Sequence, residues 1–284
     1  MIKKEIRILF YQLLAVMMSA LLGLASCINE DDSQCVQYTI MTKVVDSNGN
    51  TLSDNVAGRL QAYLFLEGKY DHTVTAESDG RFLLSFDGSK KASLIIVGSK
   101  TGGTNIAPPY EGEDIDSVMV HTSSPEGVYY GQFDYTSQNH DSISSVTVKL
   151  VEMHAVLRVA VRELHEYYGN GNFSVKLSGL RNSLSYDGAV TGDSITYSPT
   201  SSFISDEVLL TDSVNTLPTA TNETVTIGIY KNGEQIWRSN EDNTGKTITL
   251  NAGDNKVVTI DCGYQTFGFT VLSWNSFLQS VILK

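Results

Sequence analysis

The chain has 284 residues, with 20 lysines and arginines against 32 aspartates and glutamates, and its formal net charge is −12. Nucleic acids bind to basic surfaces, so this excess of negative charge argues against a nucleic-acid partner. The first 26 residues are an exception, because Lys3, Lys4, Glu5 and Arg7 give them a net charge of +2. The remaining 258 residues are enough for one large domain or two ordinary ones.

The chain begins with the pattern of a secretory signal. After the first cations, the sequence from Ile8 to Leu24 is almost entirely apolar, with Gln12 as the one clear break. Leu24-Ala25-Ser26-Cys27 then resembles a bacterial lipobox, in which the cysteine is acylated and becomes the first residue of the mature protein. We interpret residues 1–26 as a lipoprotein signal peptide. An uncleaved anchor or ordinary secretion is the alternative, since an apolar run of about 17 residues is at the short limit for a membrane span.

Negative residues follow the lipobox cysteine closely. Glu30, Asp31 and Asp32 lie in the segment 27–36, which we interpret as an acidic linker next to the lipid. In this position they resemble the surface-export signal of Bacteroidetes lipoproteins. Several acyl chains on Cys27 would give durable anchoring where a single chain would be marginal. The sequence therefore predicts a lipid-anchored protein exposed on the surface of the outer membrane.

Two cysteines remain if Cys27 is lipidated. Cys35 and Cys262 lie near opposite ends of the mature chain, and export makes a disulfide between them feasible. The sequence alone does not decide whether they meet. No CxxC pair and no Cys/His spacing indicates a zinc or redox site.

Alternation of apolar and polar residues dominates the first half of the mature chain and predicts half-buried strands. Tyr38, Ile40, Thr42 and Val44 alternate with polar neighbours and lead to Asn48-Gly49, which is a strong hairpin signal. The runs Leu60–Leu66 and Ser93–Val97 are apolar almost throughout and predict buried strands. Further strands are predicted at Arg81–Phe86, Val118–Val120, Val128–Phe133 and Ser145–Leu150.

The second half has the same character. In His154–Leu164, Ala155, Leu157, Val159 and Val161 share one face of a predicted strand. Further strands are predicted at Phe173–Leu177, Ser194–Tyr197, Val225–Tyr230, Gln235–Arg238, Thr247–Leu250, Val257–Ile260 and Phe267–Leu272. No amphipathic helix is predicted after the signal. Many short strands separated by Gly, Asn, Asp and Ser clusters predict an all-β fold of two tandem β-sandwich domains, residues 37–151 and 152–284.

No constellation of catalytic or metal-binding residues is evident. The histidines are scattered without metal-ligand spacing, at positions 72, 121, 140, 154 and 165. No G-x-S-x-G elbow is present, and Asp46–Asn50 lacks the closing Glu of an EF-hand. Trp237 and Trp274 could stack on sugars, although aromatic residues in sheets more often pack in the core. We predict a structural or binding protein that is not an enzyme and needs no cofactor or metal.

Three stretches together resemble a known family. They are the opening CINEDDSQC with its acidic run, the segment GRLQAYLFLEGKYDHTV, and VTVKLVEMHAVLRVAVREL together with a C-terminal GFTVLSWNSF. These stretches are similar to the anchoring subunits of Bacteroidales type V fimbriae, the FimB-like fimbrial anchor family. The resemblance covers most of the mature chain.

The resemblance implies a fold and a function. Each sandwich would be transthyretin-like, and the protein would tether a fimbria to the outer membrane and limit its length. Its partner would be a stalk subunit of the fimbria, joined by strand donation, in which an extended segment of one protein completes the sheet of another. A stalk or tip subunit of the same system and a glycan-binding surface lipoprotein are the alternatives.

Two positions matter for this family. In stalk subunits, cleavage after an arginine removes the first strand, and cleavage after Arg59 would remove Tyr38–Val45 in the same way. An ordinary exposed loop arginine is the other interpretation of Arg59. At the C-terminus, we interpret Ser276–Lys284 as a strand with Phe277, Val281 and Leu283 on one face and Gln279 between them. This segment would be either the last strand of the protein itself or the strand that it donates.

Overall fold

The computed structural model describes residues 35–45, 49–51, 60–99, 109–117, 119–121, 128–136, 143–205, 207–242, 244–263 and 266–282. These residues form eighteen β-strands and two short α-helices, and the predicted all-β fold is confirmed. Within them, no helix is long and apolar enough to span a membrane.

The strands of the first half are β1 (Cys35–Val45), β2 (Leu60–Leu66), β3 (Lys69–Val74), β4 (Phe82–Asp87), β5 (Ala92–Ser99), β6 (Met119–His121), β7 (Val128–Tyr135) and β8 (Ile143–Glu152). The strands of the second half are β9 (Ala155–Arg162), β10 (Phe173–Ser185), β11 (Val190–Tyr197), β12 (Ser201–Ser205), β13 (Val208–Thr211), β14 (Val214–Thr216), β15 (Thr226–Lys231), β16 (Glu234–Ser239), β17 (Asn255–Gly263) and β18 (Thr266–Ser273). The helices are α1 (Leu164–Tyr168) and α2 (Trp274–Ile282).

Seven strands of the first half form one sheet in the order β3-β2-β5-β7-β8-β1-β4, which we call the N-terminal sandwich. β7 and β8 are joined only through Tyr129–Glu152 and Tyr130–Val151. Inward side chains from the strands on both sides of this narrow connection form one core. The two parts of the sheet therefore face each other like the two layers of a sandwich. Ile40 of β1 and Leu94 of β5 lie in that core and are fully buried.

The second half forms two sheets, which we call the C-terminal sandwich. One has the order β11-β10-β15-β16, and the other has the order β12-β13-β9-β17-β18 with β14 also paired to β9. Their facing side chains form the largest core cluster, in which Leu157, Val175 and Ile227 are fully buried. Each inward face follows the period of two that the sequence shows, and the outward residues of β10 between Phe173 and Leu177 are exposed.

Both sandwiches pair their first strand with a late strand in parallel. β1 runs parallel to β8 from Gln37–Ile143 to Val45–Val151, and β9 runs parallel to β17. Parallel neighbours need long connections, and here the intervening strands of each sandwich supply them. In addition, β1 pairs antiparallel with β4, so the first described strand has a hydrogen-bonded neighbour on each side.

The two sandwiches follow one another almost without a connection. Met153 and His154 alone separate β8 from β9. The amide of Met153 donates to the carbonyl of Val128 at 2.7 Å, and the amide of Gly253 donates to the carbonyl of His154 at 2.7 Å. The boundary predicted at residues 151/152 falls at the end of β8. β6 lies on the N-terminal side of that boundary and yet pairs with β10 of the C-terminal sandwich.

Most predicted strands are present, and three sequence predictions are wrong. Thr247–Leu250 is not a strand, since only Thr247 makes an isolated bridge, to Glu241. The predicted strand His154–Leu164 does not extend to Leu164, which is the first residue of α1. Glu163, just before the helix, has a positive φ of 63°, which breaks the extended conformation. The helix α2 (Trp274–Ile282) lies where the sequence predicted the start of a strand, Ser276–Lys284.

We expect the core of the N-terminal sandwich to be far more sensitive to truncation in β1 than its outer face. Ile40 is 0% exposed, whereas its neighbour Met41 points outward and is 40% exposed. Ile40→Ala should lower the free energy of unfolding by about 2–5 kcal/mol, because it leaves a cavity in the core. Met41→Ala is the matched control and should cost less than about 1 kcal/mol in the same urea titration. Equal losses would contradict the assignment of the inward face.

Candidate functional site

Several predicted site residues lie outside the described residues. They are the lipidation cysteine, the acidic export residues, the candidate processing site and the end of the tail: Cys27, Glu30, Asp31, Asp32, Arg59 and Leu283. The described residues nearest in sequence to the predicted anchor and tail are the start of β1 and the C-terminal segment from β18 through α2, and these two regions form the candidate functional site.

The described chain begins at the end of the N-terminal sandwich that lies away from the C-terminal sandwich. β8 passes into the C-terminal sandwich at its Glu152 end, and the parallel register places Val45 next to Val151 at that end. Cys35 is ten residues earlier in β1, which is roughly 30 Å of extended chain. A tether attached before Cys35 would therefore hold the molecule by the end opposite the junction of the sandwiches.

β1 is fixed firmly in its sheet. It pairs with β8 over nine residue positions and with β4 over six. Val36, Tyr38, Ile40 and Val44 are buried in the N-terminal core. Tyr38 also contacts Phe86 and Tyr135, with ring centroids 6.3 and 5.8 Å away. A pull on the start of β1 would thus be opposed by two strand ladders and a packed core.

The C-terminal segment begins with β18, which is an edge strand of the β9–β17 sheet. β18 pairs with β17 over eight positions, from Lys256–Ser273 to Gly263–Thr266. The hydroxyl of Ser273 accepts a hydrogen bond from the amide of Ser276 at 3.1 Å, which satisfies one of the amides at the start of α2. The chain therefore leaves β18 through a capped helix start.

α2 packs on the outer face of the β9–β17 sheet. Phe277 is 1% exposed and lies against Ala160 and Val257. Trp274 stacks near Phe277, with ring centroids 5.6 Å apart, and the guanidinium of Arg158 lies 4.2 Å from the Trp274 ring centroid. Partial burial at this contact lowers the pKa of Arg158. A nine-residue helix is only marginally stable in isolation, so these contacts hold it in place.

The tail prediction is corrected in conformation. The sequence predicts Phe277, Val281 and Leu283 on one face of a strand with Gln279 between them, but the structure places Phe277, Gln279 and Val281 in α2. Phe277 is buried and Gln279 is exposed, which fits a helix, since residues two apart lie on different sides of a helix and on the same face of a strand. Trp274, Phe277 and Val281 are also three and four residues apart, and that spacing fits one face of a helix. β18, rather than the tail, is the last strand of the described chain.

Cys35 and Cys262 are not joined by a disulfide in the structure. Cys35 begins β1 in the N-terminal sandwich, whereas Cys262 is buried in β17 of the C-terminal sandwich. Burial, with smaller contributions from Glu163 and Asp261, raises the pKa of the Cys262 thiol to about 12. Thiol exchange requires the thiolate, so Cys262 is in an unreactive environment.

No group of histidines, cysteines and carboxylates in the described residues could hold a metal ion. His154 lies beside Glu152 at the junction, with its Nδ1 3.0 Å from a carboxylate oxygen. The two tryptophans are partly buried. Trp237 packs toward Phe269 at a centroid distance of 6.1 Å, and Trp274 lies beneath Arg158. The described residues thus offer no exposed tryptophan pair for stacking on a sugar.

Sequence comparison defines the class of protein. A family model described as fimbrillin-A associated anchor proteins Mfa1 and Mfa2 matches residues 31–280. The chain belongs to this family of fimbrial anchor proteins, as its sequence resemblance predicted. Membership associates it with fimbriae at the cell surface and with a structural rather than an enzymatic family. Among curated protein sequences, none matches this chain.

Solved structures share the fold. The fimbrial anchor protein Mfa2 from Porphyromonas gingivalis is 16% identical with a TM-score of 0.64, and the match covers 84% of this chain and 98% of that one. A proposed adhesin from Bacteroides ovatus is 15% identical with a TM-score of 0.58, over 84% and 94% of the two chains. A proposed polysaccharide-binding protein from Bacteroides thetaiotaomicron is 12% identical with a TM-score of 0.58, over 84% and 96%.

Truncation of the one fully buried ring of α2 should release the helix and leave the sheets folded. Phe277→Ala removes the contact with Ala160 and Val257, and amide hydrogen exchange in Trp274–Ile282 should accelerate by about a hundredfold. Gln279→Ala in the same helix is exposed and should change the exchange rate little. Equal protection in both variants, measured by mass spectrometry, would show that the packing of Phe277 does not hold α2.

Thiol counting tests the cysteine assignment. If Cys27 is acylated, the protein denatured without reductant should release two thiols to Ellman's reagent, because Cys35 and Cys262 are not joined by a disulfide in the structure. In the native protein at pH 8 the buried thiol of Cys262 should stay unreactive, since its raised pKa keeps it protonated. A count that rises by two only after reduction would establish the disulfide instead.

Proposed function

We propose that this protein is the lipid-anchored base subunit of a surface fimbria. Acylated Cys27 would hold it in the outer membrane, and its C-terminal segment would join a stalk subunit and so limit the length of the filament. Membership of the anchor family over residues 31–280 is the observation that carries the proposal. The lipobox cysteine would supply the attachment, and the acidic residues after it would act as the signal for export to the surface.

The geometry of β1 is suited to such an attachment. Seven residues, 28–34, separate Cys27 from Cys35. The extended chain between these two cysteines reaches at most about 25–30 Å. The end of the N-terminal sandwich that contains Cys35 would then face the membrane, and the C-terminal sandwich would point outward toward the filament. Negative charge along the linker favours an extended and hydrated tether.

In this proposal the C-terminal segment is the donor. To add a strand to a neighbour, the residues of α2 must leave the outer face of the β9–β17 sheet and become extended. Extension would have to break the contact of the buried Phe277 ring with Ala160 and Val257. Phe277, Val281 and Leu283 would then present their apolar side chains to a groove of the stalk subunit.

A stalk subunit is the alternative within the same system. Cleavage after Arg59 would remove β1, which lies between β8 and β4 and contributes four buried side chains to the core. Such a loss would open a long apolar groove at a large cost in stability. A glycan-binding lipoprotein is less well supported, since Trp237 and Trp274 are both packed against other side chains.

Replacement of the lipobox cysteine tests the anchor. Cys27→Ala should leave the fold intact, because β1 begins eight positions later, but should move the protein from the outer-membrane fraction to the soluble fraction. Filaments should be shed into the medium. Mass spectrometry of the wild-type protein should find an acylated Cys27 as its first residue. A first residue of Leu60 would identify a cleaved stalk subunit instead.

Two nested deletions test the donor segment. Deletion of Ser276–Lys284 removes Phe277, and deletion of Val281–Lys284 retains it. Both variants should remain in the outer membrane, and both should release the stalk because each lacks the apolar end of the donor. Filaments that stay attached in both variants would rule out strand donation by this segment.

Deletion of the whole gene distinguishes the anchor role from the stalk role. Absence of filaments would favour a stalk role, and long shed filaments would favour an anchor role.

A further inference from the structure

We infer that the N-terminal and C-terminal sandwiches form one rigid, cooperatively folded unit, held together by the tip of the β10–β11 hairpin. The inference concerns the junction of the two sandwiches and does not depend on the lipid or the donor segment. Its mechanical consequence, that a pull is transmitted through the junction, rests on the proposed function.

A core cluster crosses the junction, and we call it the bridging core. Its fully buried members come from both sandwiches: Tyr63, Phe65, Ile95, Val97, Val128, Leu184, Tyr186 and Leu217. The members from β2 and β5 alternate with residues of the N-terminal core, such as Leu64 and Ile96, and therefore lie on the opposite face of the same strands. Residues of the second half, Leu184, Tyr186 and Leu217, thus cover the part of this outer face that β2 and β5 form.

The hairpin tip supplies the central contact. Tyr186, in the turn after β10, is 1% exposed. Its ring packs edge-to-face on Phe65 and Tyr63, with centroid distances of 5.1 and 5.8 Å. Edge-to-face aromatic pairs contribute beyond the area that they bury. Tyr130 of β7 donates its hydroxyl hydrogen bond to the backbone carbonyl of Tyr186, which fixes the turn as well as the ring.

The backbone of the hairpin is also shared between the sandwiches. Ser183–Ser185 of β10 pairs with β11 along one edge and with Met119–His121 of β6 along the other. β6 lies in the connection between β5 and β7 of the N-terminal sandwich. The end of β10 is therefore hydrogen-bonded to a segment of each sandwich, and rotation at the junction would break this pairing.

Close packing extends to the turn itself. Gly188 has a φ of +80°, and a Cβ atom at this position would lie 2.7 Å from Cε1 of Tyr130. The Tyr130 ring thus sits directly on the glycine backbone. Gly233, in the turn between β15 and β16, has a similar φ of +87° but nothing within 4 Å of an added Cβ. The two glycines make a matched pair of positions for substitution. An alanine would strain the backbone at both, but only at Gly188 would its Cβ atom collide with the N-terminal sandwich.

The tryptophans provide a local probe of cooperativity. Both of them, Trp237 and Trp274, lie in the C-terminal sandwich, whereas far-UV circular dichroism reports the strands of both sandwiches. The slope of the unfolding free energy against urea concentration increases with the surface area that unfolding exposes to solvent. If the full mature chain unfolds as one unit, both probes give the same midpoint and the same slope. If the sandwiches unfold separately, the tryptophan slope is about half as steep.

Tyr186→Ala should uncouple the sandwiches. The slope measured by tryptophan fluorescence should fall about twofold, and the circular dichroism curve should separate into two steps. Tyr186→Phe keeps the ring and removes a buried hydroxyl that has no hydrogen-bond partner among the described residues, so it should unfold like the wild type. Gly188→Ala should resemble Tyr186→Ala, and Gly233→Ala should retain the wild-type slope with only a lowered midpoint.

Two results would overturn the inference. One is a wild-type protein whose two probes already separate, since the sandwiches would then be independent. The other is a Tyr186→Ala or Gly188→Ala variant that keeps the full slope in both probes. These outcomes leave the proposed function untouched, because membrane fractionation and filament attachment test it separately. Conversely, a protein without lipid or filament could still unfold as one unit.

Discussion

The parallel pairing of β1 with β8, and of β9 with β17, determines where the first described strand, the junction of the sandwiches and α2 lie. Because β8 leads directly into β9, the parallel register puts Cys35 at the far end of the first sandwich and leaves Val45 near the junction. β17 then carries the chain away from the junction, and β18 returns it, so that α2 starts where β9 and β17 begin. The two chain ends, the junction and the outer face under α2 all follow from this arrangement.

Much of the fold is readable in the sequence, because a strand with one buried face shows its period directly. β1 and β8 alternate as expected. The runs at Leu60–Leu66 and Ser93–Val97 carry further information, since a strand that is apolar on both faces needs a packing partner on each. For these two strands the second packing partner is the part of the bridging core that comes from the second half of the chain, Leu184, Tyr186 and Leu217. The sequence indicated that such strands were buried but did not identify what covers them, because Tyr186 looks like an ordinary turn residue and is 89 or more positions away from either strand.

The errors have related causes. Thr247–Leu250 has strand-like composition, yet Ile248 and Leu250 are buried in the C-terminal core without continuous ladder partners. In Trp274–Ile282 the apolar residues recur at the three- and four-residue spacing of a helix face, and the interpretation as a strand overlooked this period; the helix face meets the apolar patch around Ala160 and Val257. Such a patch is assembled from distant strands, so no local window contains it. The lipobox and the acidic residues after Cys27 are different, since they are linear signals whose prediction does not depend on the fold.

The shallow attachment of α2 has a consequence for how the molecule would respond at its C terminus. As a helix, its nine residues span about 14 Å, and fully extended they would span about 30 Å. A neighbour that held this end could therefore draw out about 15 Å of slack before any hydrogen bond between β17 and β18 came under strain. The two sandwiches would stay rigid, while the segment of α2 accommodated the changes in angle and distance that a filament moving in flow would impose.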